Sequence, residues 1–357
     1  MYSVLTEAIA AFLAAAVITE IVRRFFSQRG FLDVPNARSS HSTPVPRGGG
    51  LSIVAVLLTA AAVLAWRGVV SRGVAEALLG GGLLIGAVGL VDDLYSLRAS
   101  IRAGIHFLGA TWAVWCLGGI GPLDLGWIKW DWGWIGQIVG VVGLVWMINL
   151  YNFMDGIDGI AGMEAVSAGG FGALLLVAHG HSGLAELALI LVFACAGFLT
   201  RNWSPARIFM GDTGSGFLGF VLGVFVIASA KQQPEFVWPW LTLLAVFIVD
   251  ATVTLLRRAR RGERWYASHR SHAYQHATRA CGSHAKVALS VGVINFLWLF
   301  PLAFAAIQWP VVAVPVTIIA ILPLIWLARY WQAGEPEAIR PRPATDIVHE
   351  SLAGAGK

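Results

Sequence analysis

The sequence predicts an all-α, polytopic membrane protein of about eleven transmembrane helices, with its N-terminus outside and its C-terminus in the cytoplasm. Three observations carry that prediction. Hydrophobic residues make up 57% of the chain and charged residues 13%, about half the charge of an average soluble domain. The apolar residues run together in stretches long enough to cross a bilayer. The basic residues fall between those stretches, and mostly at alternate ends of them. A soluble core of this length would need a polar skin, which the composition does not supply. The spans must be helical, because only helices and closed barrels satisfy backbone groups in lipid, and the alternation of a barrel strand is absent.

The spans follow in order. The first, near 3–22, ends at Arg23-Arg24. It lacks the basic start of a signal peptide and carries Glu7 and Glu20, so it is read as a retained span that begins outside. The second, near 49–66, opens at Gly48-Gly49-Gly50. The third, near 75–91, is stopped by Asp92-Asp93, and the fourth lies near 103–119. The fifth, near 134–151, runs into a stretch holding Asn149, Asn152, Asp155 and Asp158. Spans near 159–178 and 183–200 come next, then one near 213–230 that Asp212 opens. The last three lie near 237–256, 287–307 and 309–328. Residues 1–331 thus form one membrane domain. Residues 332–357 hold several Pro and Ala without apolar periodicity, and are expected to be a disordered cytoplasmic tail.

Orientation comes from the basic residues. One set of loops holds Arg23, Arg24, Arg29, Arg38 and Arg47, then Arg98 and Arg102, then Arg201 and Arg207, then the run from Arg257 to Lys286. The opposite set holds Arg67, Arg72, Lys129 and Lys231. The richer set is cytoplasmic by the positive-inside rule. Three acidic motifs, which played no part in that choice, all fall on the same side. The net charge of +5 is spread between apolar spans, which gives no reason to expect a nucleic-acid partner. Cys116, Cys195 and Cys281 are odd in number and have no metal-site spacing, so neither a disulfide framework nor zinc is expected. Trp127, Trp130, Trp132 and Trp134 crowd the longest outer loop and read as an interfacial belt. Gly82 with Gly86, and Gly219 with Gly223, are spaced for close helix packing.

The acidic motifs carry the chemistry. Asp92 and Asp93 end a helix, where they repel each other and oppose the helix dipole, so a compensating cation is expected, either a basic residue or a metal. Asn149, Asn152, Asp155 and Asp158 recur every three residues, which on a helix or tight turn lines oxygen ligands along one side. Oxygen-only ligands suit Mg²⁺, which keeps waters and accepts phosphate oxygens. Asp212, in Gly-Asp-Thr-Gly-Ser, sits at a helix start that could be capped by Asp or Thr, or could bind phosphate through its own N–H groups. Phe209 just before it could stack on a base. The basic loop holds His269-Arg270-Ser271-His272-Ala273-Tyr274-Gln275, which suits a polyanionic sugar nucleotide better than zinc, and the first loop with His41 and Arg47 has the same character.

Together these motifs resemble the polyprenyl-phosphate N-acetylhexosamine-1-phosphate transferases, the WecA-type and MraY-type enzymes of glycosyltransferase family 4. The matching residues are Asp-Asp after a span, Asn-x-x-Asn-x-x-Asp-Gly-x-Asp-Gly, Phe-x-Gly-Asp-Thr-Gly-Ser and a final His-containing basic loop, in family order across roughly Arg38 to Gln275. The His loop looks closest to the O-antigen-initiating subgroup of the WbpL kind.

The resemblance implies transfer of a sugar 1-phosphate from a UDP-N-acetylhexosamine to undecaprenyl phosphate at a bacterial plasma membrane, with Mg²⁺ (or Mn²⁺) and release of UMP. It implies Mg²⁺ ligands at Asn152 and Asp212, and Asp92 with Asp93 beside the lipid phosphate. It implies uridine contacts at Asp158 and Phe209 and a sugar and pyrophosphate loop at His269, Arg270 and His272. Arg47, Asn149 and Asp155 complete the expected substrate-binding set. Where family members often carry a Lys after Asp-Asp, this chain has Ser100 between Arg98 and Arg102. A phosphate monoester with a second pKa of about 6 is already largely dianionic at neutral pH, so Asp92 is expected to position the lipid phosphate more than to take its proton. The rivals are a phospho-MurNAc-pentapeptide transferase and a transporter, the latter resting on Glu164 and Asp250 as ionisable groups nearer the bilayer midplane. The sugar and the oligomeric state, a homodimer included, stay open.

Overall fold

The computed structural model describes residues 2–34, 43–263 and 269–336. Arg38, His41, Arg264 and the tail from 337 onward lie outside the described residues. The helices are α1 Tyr2–Arg29, α2 Leu51–Trp66, α3 Arg72–Glu76, α4 Leu83–Tyr95, α5 Ala99–Cys116, α6 Ile135–Met154, α7 Ile160–Ala178, α8 Ser182–Asn202, α9 Gly211–Gln232, α10 Val237–Leu243, α11 Ala245–Arg260, α12 Ala273–Cys281, α13 His284–Ile294, α14 Phe300–Gln308 and α15 Ala313–Tyr330. A π-helical turn, Ala77–Gly82, joins α3 to α4, and another, Asn295–Leu299, joins α13 to α14, so each pair is one rod. The sheet is confined to two antiparallel pairs, β1 Leu32–Asp33 with β2 Val45–Pro46, and β3 Leu123–Asp124 with β4 Lys129–Trp130.

The all-α membrane architecture is as expected. Among the described residues, eight helices are long and apolar enough to cross a membrane, and a ninth span arises if Pro234–Leu243 and Ala245–Arg260, bent by 71°, are taken together. The other two of the eleven expected segments are helical but do not meet that standard, α2 being 16 residues long and α5 carrying Arg102 and His106. The bend at Leu244 was not foreseen.

Helix α9 forms the centre, with nearly every residue from Thr213 to Ala230 buried. Its glycines let neighbouring backbones approach, as their spacing predicted. A side chain at Gly219 would meet the Met147 carbonyl of α6, and one at Gly214 would meet Gly50 at the start of α2. Gly86 on α4 packs against Val54 of α2 in the same way. Phe217, Phe220 and Phe225 fill the remaining space around α9 and are fully buried. This axis fixes the position of Asp212 at its N-terminal end.

Of the expected tail, the structure describes residues 332–336; there Ala333 is completely buried and Gly334 is buried, while Gln332 and Pro336 are exposed.

Candidate active site

Helices α4 and α9 touch where the acids lie. Gly89 of α4 sits against the Asp212 carbonyl, closer than any side chain would allow. One turn further, Asp93 reaches the first turn of α9. Asp212 N donates to Asp93 Oδ1 at 2.9 Å, and Thr213 N and Thr213 Oγ1 donate to Oδ2 at 3.1 and 2.7 Å. Asp93 therefore caps α9 from a neighbouring helix, satisfying N–H groups that the helix leaves open. The expected local cap by Asp212 or Thr213 is replaced by this one, and those two N–H groups are not open to phosphate.

Asp92 points elsewhere. Leu97 N donates to its Oδ1 at 2.6 Å, and Arg102 Nη1 donates to its Oδ2 at 2.6 Å. The same Arg102 nitrogen donates to Asp212 Oδ2 at 2.8 Å. The cation expected beside Asp-Asp is thus Arg102, on α5, in the place where the family resemblance had put a Lys in question. The Asp92 and Asp212 carboxyls also touch each other, and the Asn152 amide reaches Asp212. Asn152 Nδ2 donates to Ser215 Oγ at 2.9 Å, which leaves Oδ1 as the oxygen it can offer. One turn beyond Arg102, the half-buried His106 has an Nδ1 with no hydrogen-bond partner.

The three-residue spacing of Asn149, Asn152, Asp155 and Asp158 does not produce one line of ligands. Asn149 Nδ2 turns back to the Val145 carbonyl at 2.7 Å. Helix α6 stops at Met154, and Asp155 is its cap residue. Asp155 remains with the acids: burial, then the charges of Asp212 and Asp93, hold its carboxyl well above the usual range. Asp158 leaves the group. Its Oδ2 accepts from Ala206 N at 3.1 Å and lies 3.3 Å from His284 Nδ1, which accepts from Asp158 N at 3.2 Å. Burial pushes the Asp158 carboxyl up, but His284 and the Ala206 N–H outweigh it, and the net direction is down.

The first loop lies against this site through its backbone. Phe209 N donates to Pro46 O at 2.8 Å, Gly49 N to Phe209 O at 2.9 Å and Gly50 N to Met210 O at 3.0 Å. A Cβ at Gly50 would collide with the Gly214 backbone, and one at Gly49 with the Phe198 ring beside the Phe209 carbonyl. Arg47 Nη2 donates to Asp33 Oδ2 at 2.7 Å, and its charge also acts on Asp93 and Asp212. Phe209 is half-buried.

The His loop is held from below by Asp250 of α11. Ala273 N and Tyr274 N donate to its two oxygens at 2.9 Å each, and Thr254 Oγ1 donates at 3.1 Å. His272 Nδ1 stands 3.2 Å from Asp250 Oδ1, and the ring is buried. Tyr274 OH donates to Phe153 O at 3.0 Å, which ties α12 to the end of α6. The rings of Phe153, His269 and His272 lie against one another, with centroids 4.9 to 6.5 Å apart. Burial first, then the charges of His272 and Arg258, bring His269 down to about 3. Its Nδ1 lies 3.0 Å from Ser271 Oγ, and its buried Nε2 has no hydrogen-bond partner. Arg270 accepts from Arg279 through its carbonyl at 3.1 Å.

Two residues that hold the candidate site in place escaped sequence reasoning. Asp250 showed itself only as a lone acid in an apolar span, and His284 had no distinguishing signal in the basic loop. The group of Asp92, Asn152 and Asp212 offers oxygen donors alone, which fits a hard cation such as Mg²⁺. Among the described residues no three His, Cys, Asp or Glu side chains form a metal cage, so such an ion would need phosphate oxygens or water as further ligands.

Comparison with known proteins gives the family. The model of glycosyl transferase family 4 matches residues 75–230. The decaprenyl-phosphate N-acetylglucosaminephosphotransferase of Mycolicibacterium smegmatis is 30% identical over 335 residues, covering 85% of this chain and 80% of its own. The probable undecaprenyl-phosphate N-acetylglucosaminyl 1-phosphate transferase of Bacillus subtilis is 29% identical over 309 residues, covering 84% of each chain. The phospho-N-acetylmuramoyl-pentapeptide-transferase of Thermosynechococcus vestitus is 40% identical over 89 residues, 24% of this chain and 22% of its own.

Proposed function

Since the chain belongs to glycosyl transferase family 4, the polyprenyl-phosphate N-acetylhexosamine-1-phosphate transferases, we propose that it moves an N-acetylhexosamine 1-phosphate from a UDP-sugar to undecaprenyl phosphate. An oxygen of the lipid phosphate attacks the phosphorus bearing the sugar. The bridging P–O bond breaks, UMP leaves with the electron pair, and a lipid diphosphate sugar remains. The product would begin a lipid-linked surface glycan such as O-antigen.

The observation that carries this reading is the meeting of Asp92, Arg102, Asn152, Asp155 and Asp212 at one end of the bundle. Three acids beside one bridging arginine hold more negative charge than Arg102 can offset. Asp212 and Asn152 would hold Mg²⁺. The ion would offset the charge that develops on the transferring phosphoryl group. Arg102 is positioned to exchange one carboxylate for a lipid phosphate, leaving Asp92 to orient that phosphate. Asp158 and Phe209 take the uridine, while His269, Arg270 and His272 face the pyrophosphate. Positioning and electrostatics supply most of the catalysis in such a transfer.

The relatives in M. smegmatis and B. subtilis act, by name, on decaprenyl and undecaprenyl phosphate with N-acetylglucosamine, and they cover far more of this chain than the pentapeptide transferase does. The test is UMP release by the purified protein from a panel of UDP-sugars, UDP-MurNAc-pentapeptide included, with undecaprenyl phosphate and Mg²⁺. Turnover of the pentapeptide donor alone would replace the proposed substrate. Activity unchanged by excess chelator would remove Mg²⁺.

The distribution of basic residues supports a site on the cytoplasmic face of the plasma membrane. In a chain cleared of native cysteines, one at Ser96 should resist a membrane-impermeant reagent in intact cells and one at Lys129 should react. The opposite pattern reverses the orientation.

A further inference from the structure

The segment after the last helix returns to the His loop. Chain direction reverses there because Gln332 and Gly334 both have left-handed backbones, at φ 55° and 80°. Ala333 N donates to Ala328 O at 2.9 Å, and the Ala333 methyl is completely buried. Helix α11 grips the segment with two arginines. Arg257 Nη1 donates to Ala333 O at 2.8 Å, Arg261 donates to Gly334 O, and Arg257 pairs with Glu335 at 3.0 Å. On the far side, Gly334 N donates to Ser271 O at 2.6 Å, and His276 Nε2 lies 3.3 Å from Glu335 O. Arg258 Nη1 reaches Ser271 Oγ at 3.4 Å.

Ser271 lies between Arg270 and His272. The backbone that carries them is therefore held from two sides: Asp250 takes the N–H groups of residues 273 and 274, and Gly334 takes the carbonyl of residue 271. We propose that residues 332–334 are a positioning element of the active site, which fixes Ser271 and so aims His269, Arg270 and His272 at the donor. The proposal rests on the assignment of that loop to the sugar nucleotide.

Three substitutions in the full chain test it. Gly334→Pro removes the N–H that holds Ser271 and cannot adopt φ 80°. Arg257→Ala removes the grip on Ala333 and Glu335. Glu335→Gln removes only a half-exposed ion pair, of the kind that contributes little. The first two should raise KM for the UDP-sugar about tenfold, as expected when one net hydrogen bond to a positioned loop is lost. KM for undecaprenyl phosphate should stay within about twofold of wild type. Amide hydrogen exchange across 269–275 should quicken in both, and Glu335→Gln should match wild type in every measure. An unchanged donor KM in both variants overturns the proposal, and so does an equal rise in both KM values. If the wild-type protein does not turn over a UDP-sugar, the functional reading fails by itself. Exchange at 269–275 then decides whether the segment holds the loop, and unchanged exchange in Gly334→Pro sinks it.

Discussion

Two helix N-termini in this protein are capped in the same way and surrounded differently. At α9, Asp93 arrives from α4 and takes the N–H groups of Asp212 and Thr213. At α12, Asp250 arrives from α11 and takes those of Ala273 and Tyr274. Each cap anchors a segment of the candidate site to a neighbouring helix. The α9 end then gathers three further acids, Asp92, Asp155 and Asp212, against a single bridging arginine. The α12 end gathers His272, Thr254 and the nearby Arg258 and, among the described residues, no second carboxylate in hydrogen-bond contact with Asp250. A carboxylate with a full set of donors is settled, while carboxylates crowded together remain in need of a cation. The first region is built to receive charge and the second to hold shape.

The strongest test of that contrast is Asp212→Asn. It removes one negative charge from the crowded end and a proposed metal ligand. Turnover should fall by about three orders of magnitude or more, while thermal stability holds or rises because like-charge repulsion is relieved. Residual activity near wild type would place the cation elsewhere.

Asp250→Ala should do the reverse. It leaves two backbone N–H groups and the His272 Nδ1 without a partner in a buried place, at about 1–3 kcal/mol for each orphaned group. The expected result is a lower melting temperature and a donor KM raised by roughly ten- to a hundredfold. A variant that melted like wild type and lost turnover as completely as Asp212→Asn would make Asp250 part of the chemistry, and the contrast would fail.

The membrane frame was legible because lipid leaves few choices. Long apolar runs, punctuated by charge, mark helices, and the segments expected near 134–151 and 213–230 appear as α6 and α9. The motifs that meet were legible as acids at span ends. What the sequence hid is where helices stop. A period of three treats Asn149 to Asp158 as one surface, but α6 ends at Met154 and Gly159, at φ 77°, starts the next helix in a new direction. Asp155 therefore stays with Asp212 while Asp158 swings to Ala206 and His284. Caps supplied by another helix are equally invisible, since Asp93 and Thr213 lie 120 residues apart and meet only once α4 and α9 pack together at Gly89. The segment at 332–335 looked like tail because its hold is through backbone groups, which leave no mark in side-chain pattern.

The separation of Asp158 from the acids that meet at Arg102 can be measured. Asp158→Ala should weaken UDP binding about tenfold by calorimetric titration, because it loses a contact distant from the reacting phosphorus. Asp92→Asn should leave UDP affinity within about twofold and lower the turnover rate, since its role begins when the lipid arrives. Equal loss of UDP affinity in both variants would join Asp92 to the nucleotide site and erase the boundary between the two regions.

The smallest effect concerns pH, and it belongs to the settled region. His269 in place is brought down to about 3, first by burial, while a released histidine titrates near 6.5. Above about pH 6.5 both forms are neutral and the placement carries no proton penalty. As pH falls below that value the released loop takes up a proton that the placed loop refuses, so placement is progressively lost toward pH 3. Part of the ring is exposed, which screens the effect. Between pH 7.5 and 5.5 the wild-type affinity for UDP should weaken a few-fold more than that of His269→Gln, with the titration of UDP itself cancelling in the comparison. Parallel pH curves for the two proteins would show that His269 is not held neutral by the loop, and that the α12 end tolerates charge as readily as the α9 end.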